Sequence, residues 1–438
     1  MLKKHYLKHT GLTLSDKLLL LPFLLYTLSL TFEGALRYYL YHMGIEKLIY
    51  FPKALMFLVF IFVIISDLTR SGLFKTYFIL LCIVALSFFY GWHNTKNFYQ
   101  AAFGIWVYAP FIYGVMALPP ILKAGERGNP FILAIWLITI SGIFCDYFSE
   151  LPWTGFNYDV GQVLVEGARG WSTFGIERCG GFARASFSAA YLTLFSSVYI
   201  ISTIRKPFLV TFVWIITGLA LIATTHRASI AIYIILTIIF PIIFKYYDIN
   251  IANKSYRILP IILALIGISL PCLSGVVFLN LNTYMEEFML SSTGARLSKT
   301  WPDALSLIFE RGNAILGRGL GGIGAPQLYF ETSFYNPADN LYLSLFATFG
   351  IGMFLFITLW TIGLRKLDFK SSWHPRLFWL ISVVILMEGW TANTIEDPLT
   401  AMLLGLSFGY TVQSRCWKPI SQRAIKATQP SHIGLLQG

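Results

Sequence analysis

The sequence predicts an all-α polytopic integral membrane protein of about twelve transmembrane helices, with two long outward loops. Three observations carry that expectation. Only 12% of the 438 residues are charged and 56% are hydrophobic, whereas a soluble domain carries about a quarter charged residues. The apolar residues gather into long runs rather than alternating with polar ones. The basic residues, which give a net charge of +12, concentrate in every second connection between those runs, as topology-setting charges do. Disorder is excluded, because 17% aromatics bury too much surface.

A helix needs about 20 mainly apolar residues to cross the hydrocarbon core. Twelve runs qualify: 18–33, 48–66, 76–92, 100–121, 131–147, 184–203, 207–224, 228–245, 258–279, 340–363, 377–391 and 398–413. Lys53, Gly91 and Pro110 interrupt the second to fourth. The first run lies too far into the chain for a cleaved signal, and no small-residue cleavage site follows it. Lipid-exposed irregular backbone cannot cross a bilayer, so the runs are read as helices.

With the N-terminus placed inside, the inward segments hold 21 of the 33 basic residues and 5 of the 21 acidic ones. The inside surface is then about +16 and the remainder about −4. Both termini are expected in the cytoplasm, within one polytopic domain over 1–438 that ends in a polar tail at 414–438. Two outward segments are long, 148–183 and 280–339, so the extra mass lies outside. The net positive charge is a topology signal and no compact basic cluster accompanies it, so no nucleic-acid partner is expected. The bilayer is the expected surrounding.

Several chemistries lack their residues. No GxxxxGK[ST] provides a nucleotide-hydrolysis loop, and GRGLGGIG (317–324) lies in an outward loop rather than in a βαβ unit. No DxD, HExxH or CxxC motif occurs. Five scattered cysteines and seven scattered histidines suggest neither disulfides nor a metal site, and no cofactor is expected.

Charges at the membrane boundary are costly, so each needs a reason. Arg178 lies in FGIERCGGFARAS (174–186), where Gly180 and Gly181 allow close backbone approach. Its plain alternative is a solvated loop arginine paired with Glu177. Arg227 lies in ATTHRASIAIY (223–233), between two spans whose connection is too short to leave the boundary. A guanidinium at a helix start suits an anion, and the plain alternative is snorkelling. His226 beside it reads as a structural or interfacial polar residue. Arg296 and Lys299 lie in STGARLSKTWPDALSLIFE (292–310), where Leu297, Trp301, Leu305 and Phe309 share a helical face suited to the outer interface. Thr300 is a candidate cap for the second part of that helix. Arg318 sits among glycines, and Asp339 and Asn340 stand where the tenth span begins. Asp339 reads either as the helix cap or as a general base that holds a sugar hydroxyl.

At these segments the chain resembles the O-antigen polymerase and O-antigen ligase superfamily of bacterial membrane glycosyltransferases. The resemblance runs over about 170–360 and rests on R-C-G-G-F (178–182), T-H-R-A-S (225–229), G-R-G-L-G (317–321) and D-N-x9-G (339–350), in that order. It implies a GT-C-like, metal-independent enzyme of the bacterial inner membrane. The implied partners are an undecaprenyl-pyrophosphate-linked glycan donor, a glycan acceptor and a chain-length regulator. On the matching positions, Asp339 and Arg227 are implied to be catalytic, and Arg178, Arg227, Arg296, Arg318 and Asn340 to bind pyrophosphate or glycan. Family ligases carry histidine where this chain has Asp339. That departure points away from ligation to lipid A–core, the first alternative, and towards polymerisation. A lipid-linked oligosaccharide flippase is the second alternative.

Overall fold

A computed structural model describes residues 12–67, 74–160, 163–173, 175–204, 206–245, 250–277, 291–369 and 372–416. Most of the expected tail at 414–438, and the start of the second long loop, lie outside them.

Helices stand at all twelve apolar runs. The chain opens with α1 (Leu14–Thr31), whose first turn is closed by a capping box between Thr13 and Asp16. A short α2 (Glu33–His42) follows, then α3 (Phe51–Asp67), α4 (Phe74–Thr95), α5 (Phe98–Ala124) and α6 (Asn129–Phe148). After the first long loop come α7 (Ser186–Thr203), α8 (Pro207–Thr224), α9 (Arg227–Lys245) and α10 (Asn250–Val277). By length and apolar composition, five helical stretches of the described residues suffice to cross a membrane: Leu14–Thr31, Phe98–Phe148, Ser186–Thr203, Pro207–Thr224 and Tyr256–Ser274. Three shorter apolar helices accompany them. The protein is therefore a helical membrane protein.

Lys53, Gly91 and Pro110 do not break their helices. Lys53 lies in the first turn of α3 with its ammonium 4.8 Å from the Trp106 ring centre. Gly91 faces the backbone of Leu320, so the missing side chain is a packing need.

The first long loop departs from the all-helical expectation. It holds two small antiparallel hairpins, β1 (Asn157–Val160) with β2 (Val163–Glu166), and β3 (Ser172–Thr173) with β4 (Ile176–Glu177). The second long loop enters as α11 (Ser291–Ala295), a π-helical turn (Arg296–Thr300) and α12 (Trp301–Arg311), one continuous helical path. Thr300 has helical backbone angles and caps nothing, which corrects its expected role. Of the expected stripe, Leu297, Trp301 and Leu305 pack in one apolar cluster, against protein rather than at a free interface. Trp301, Ala304 and Ile308 are buried against Leu343 and Ala347, whereas Phe309 is exposed. This helix therefore buries its apolar face in protein. After α13 (Ala325–Phe330) come α14 (Leu341–Phe349), α15 (Gly352–Arg365), α16 (His374–Glu388) and α17 (Pro398–Cys416).

The tenth run, read as one span over 340–363, is two helices broken at Gly350. Its φ is +56°, and the carbonyls of Ile315 and Ala314 occupy the place a side chain would take. The cause is the glycine-rich segment 312–324, which dips into the bundle. The Leu320 amide donates to Ser87 O at 3.0 Å, and the Arg318 amide to Ala347 O at 2.6 Å. Ser87 lies about 12 Å below the end of α4, at 1.5 Å per residue. Gly317, Gly319 and Gly321 press on Ala347, Gly91 and Gln100 respectively, all at positive φ. Non-helical backbone at such depth is tolerated when protein surrounds it.

Candidate functional site

Helix ends and loops from six parts of the chain meet at the end of the bundle that carries both long loops. The RCGGF turn is built by Asp146 at the end of α6. Its Oδ2 accepts the Gly180 and Gly181 amides at 2.8 and 2.9 Å. Trp153 Nε1 donates to Gly181 O at 2.8 Å, and the Gly34 amide to Phe182 O at 3.0 Å. That scaffold aims Arg178 at Thr225, which accepts from Nε through its hydroxyl at 3.2 Å. Thr225 ends α8 in the left-handed region, at φ +51°.

Arg227 starts α9 and is solvent-exposed. It stands near enough to Arg178 for their charges to repel. Burial first, and then that neighbour, hold the Arg178 pKa below its ordinary value. Two like charges brought together at a water boundary are the kind of pair that suits an anion.

Arg296 opens the π-helical turn and comes from the second long loop. Its Nε donates to Asp339 Oδ2 at 3.2 Å, and its Nη1 to Ser292 Oγ at 3.1 Å. π-helical turns often mark functional positions. Trp301 Nε1 donates to Asp339 O at 3.4 Å, and Asn336 Nδ2 to Thr300 O at 2.8 Å, so the 336–339 segment is tied to the π-helical turn and the start of α12. Ala338 and Asp339 both have left-handed backbones, φ +60° and +44°. Four non-glycine residues among those described adopt positive φ, and three of them, Thr225, Ala338 and Asp339, lie here. Such strain costs about 1–3 kcal/mol per residue and gathers at functional sites.

His226 links these pieces. Burial, and then the charges of Arg178 and Arg296, push its pKa down to about 3. Arg178 and Arg296 therefore both reach the half-buried His226 ring, with Arg227 next to it in the chain and Asp339 paired to Arg296. His226 Nδ1 lies 2.8 Å from Ser229 Oγ, and that hydroxyl donates to Glu388 Oε1 at 2.5 Å. Tyr191 packs edge-on to the imidazole, with ring centres 5.5 Å apart.

The remaining expected site residues sit elsewhere in the scaffold. Asn340, expected to bind substrate, is fully buried and is the cap of α14. Its Oδ1 accepts the Leu343 amide at 2.8 Å, and its Nδ2 donates to Gly267 O and Trp390 O. The cap is thus Asn340 and not Asp339, whose carboxylate is left to Arg296. Arg318 is 1% exposed. It pairs with Glu331 at 3.0 Å and donates to Gly322 O. Both residues hold the fold rather than face the cationic cluster.

Sequence reading missed two acidic positions, Glu33 and Glu396, and gave Glu388 no role. Glu33 pairs with the buried Arg37 at 2.6 Å, and Arg37 donates to the Tyr158 hydroxyl at 2.6 Å. Glu396, between α16 and α17, accepts the Ala325 amide at 2.7 Å. Burial first, and the charge of Asp339 as well, push its pKa up to about 7. Glu388 was visible only as a charge at the end of an apolar run. The spacing Glu33-x3-Arg37 was the one local signal for the first pair.

Compared with protein-family models, curated proteins and solved structures, the chain matches none. Function therefore has to be read from the site itself.

Proposed function

We propose that the protein is a glycosyltransferase that polymerises undecaprenyl-pyrophosphate-linked oligosaccharide repeats into O-antigen or a related surface polysaccharide. The observation that carries this reading is the convergence of Arg178, Arg227 and Arg296 from three distant segments, beside Asp339. Three guanidinium groups held at a membrane boundary suit a lipid pyrophosphate. Each charge-assisted contact contributes about 1.5–3 kcal/mol. They do more as the glycosidic bond breaks, because charge then grows on the departing pyrophosphate. Asp339, fixed by Arg296, holds the attacking sugar hydroxyl.

The same reading takes the chain as a GT-C-like protein of twelve crossings in the bacterial inner membrane. The alternation supports it: Asp16 near the start of α1 meets Lys123 at the end of α5, while both long loops gather at the opposite end. The termini then face the cytoplasm and the arginines face out. Acceptor and donor are both lipid-linked glycans, and a chain-length regulator is a natural partner.

Ligation to lipid A–core is the neighbouring reading, and the phenotype separates them. Loss of a polymerase leaves single lipid-linked repeats, and loss of a ligase leaves long unattached polymer. The α14–α15 break favours a flippase, since transporters use discontinuous helices. Here, however, the break is filled by the Ala314 and Ile315 carbonyls rather than by ionisable groups. A deletion strain whose polysaccharide ladder collapses to one repeat tests the polymerase reading.

A further inference from the structure

We propose that Glu396 is the general base of the transfer, with Asp339 orienting the acceptor hydroxyl beside it. This inference rests on the polymerase reading and adds the destination of the proton to it.

The two carboxylates come from different elements and are held differently. Glu396 lies between α16 and α17, directly before Asp397, whose Oδ1 accepts the Thr400 amide at 2.9 Å and caps α17. The Glu396 amide donates to Asn393 O at 3.0 Å. The turn that carries the side chain is thus fixed to a helix start. Glu396 Oε1 accepts the Ala325 amide at 2.7 Å, and Asn393 adds a side-chain hydrogen bond. Gly324 permits this approach, because a side chain there would take the place of Oε1. An ionised carboxylate offers about four acceptor positions, so lone pairs remain for a substrate. Glu396 is half-buried, so water still reaches it. Among the described residues it forms no ion pair. Asp339, in contrast, is paired with Arg296 at 3.2 Å.

The surroundings divide the roles. Asp339 lies within charge range of Glu396 from the 336–339 segment, with Arg296 behind it. Tyr335, just before that segment, is in range of both carboxylates and of Arg169. Tyr108 is in range from α5, the Ala325 amide comes from the start of α13, and Asn393 and Asp397 belong to the same turn. Tyr335 is 42% exposed and the Asp339 side chain 36%, so the space beside the two carboxylates is open to an entering hydroxyl. Burial and the charge of Asp339 push Glu396 up to about 7, against the pull of the Ala325 amide. A base poised near the working pH is the most effective one. Neighbouring carboxylates in unlike surroundings are a recurring way to separate such roles.

The step balances. The acceptor hydroxyl enters with its hydrogen shared between the two carboxylates. Its oxygen attacks the anomeric carbon of the donor glycan, and a new carbon–oxygen bond forms. The bond from that carbon to the pyrophosphate oxygen breaks, and its electron pair leaves with the pyrophosphate. The hydroxyl proton passes to Glu396 Oε2, the oxygen not held by Ala325, and is later released to water. A proton on Asp339 would break the pair with Arg296, whereas no ion pair opposes one on Glu396.

The test uses the full-length protein in proteoliposomes with the lipid-linked repeat unit that accumulates in the deletion strain. Undecaprenyl pyrophosphate serves as the binding probe. Glu396→Gln keeps an acceptor for the Ala325 amide and removes the base. We expect its kcat to fall at least about 100-fold, the usual worth of a general base, with probe affinity within about twofold of wild type. Wild-type kcat/KM should rise with pH through about 7, as the carboxyl ionises. That rise should vanish in Glu396→Gln. Glu396→Asp should keep a rise with a shifted midpoint and regain part of kcat. A merely structural glutamate would leave the profile in both variants as in wild type. Wild-type kcat in Glu396→Gln overturns the proposal, as does joint loss of kcat and probe binding, or an unchanged pH profile. If wild-type protein extends no lipid-linked glycan, the polymerase reading fails first and the base assignment with it.

Discussion

Arg296 donates from Nε to the carboxylate of Asp339 at 3.2 Å across 43 residues of sequence. That pair closes the second long loop over the arginines of the first loop and of α9. It leaves Asp339 half exposed, in a strained backbone conformation. A carboxylate held this way is oriented but not hidden.

Asp339→Asn keeps the shape and removes the charge. Because the pair is part-exposed, its loss costs stability little, within about 1 kcal/mol. Membrane levels of the variant should equal wild type while polysaccharide elongation falls at least tenfold. Quantitative immunoblotting beside a polysaccharide ladder checks both halves.

Asn340→Ala should behave in the opposite way. The cap alone is worth about 1 kcal/mol. Two buried carbonyls, Gly267 O and Trp390 O, also lose their donor, at about 1–3 kcal/mol each. Protein levels or detergent melting temperature should drop clearly, and the activity per folded molecule should fall far less than in Asp339→Asn.

Arg318→Ala breaks a buried ion pair under the dipping glycine-rich segment. Removing one partner of such a pair costs about 3–5 kcal/mol. Gly350→Ala adds about 1–2 kcal/mol of left-handed strain and drives a methyl group into the Ile315 carbonyl. Both variants should accumulate poorly, and thermal melts in detergent would show the order.

The Arg318–Glu331 pair also sets a pH dependence. Burial raises the Glu331 pKa, but the hydrogen bonds and charge of Arg318, with help from Gln100 and Gln327, bring it below its ordinary 4.5. A carboxylate depressed in the folded state stabilises fully above the unfolded value and loses that contribution as pH falls below it. Melting temperature should therefore decline on acidification below about pH 4.5. The decline should be shallower in Glu331→Gln.

Hydropathy alone located the helices, because a bilayer demands long apolar runs. The run 207–224 coincides with α8. It did not reveal the break at Gly350, since residues on both sides are equally apolar and the cause is a segment some 30 residues earlier in the chain. The arginines were legible because charges at a membrane boundary are rare enough to stand out. Their sorting was not. Arg318 and Asn340 look like site residues in sequence, and only packing shows them occupied by Glu331, Gly267 and Trp390. His226 and Ser229 stand together in T-H-R-A-S, but Glu388, which holds that serine, is 159 residues away and nothing local announces it.

The most direct measurement is the surface-polysaccharide ladder of a deletion strain complemented with Arg227→Ala protein at wild-type membrane levels. A ladder arrested at a single repeat is the expected result. Normal long chains from that variant would contradict the claim that these arginines hold the pyrophosphate during transfer.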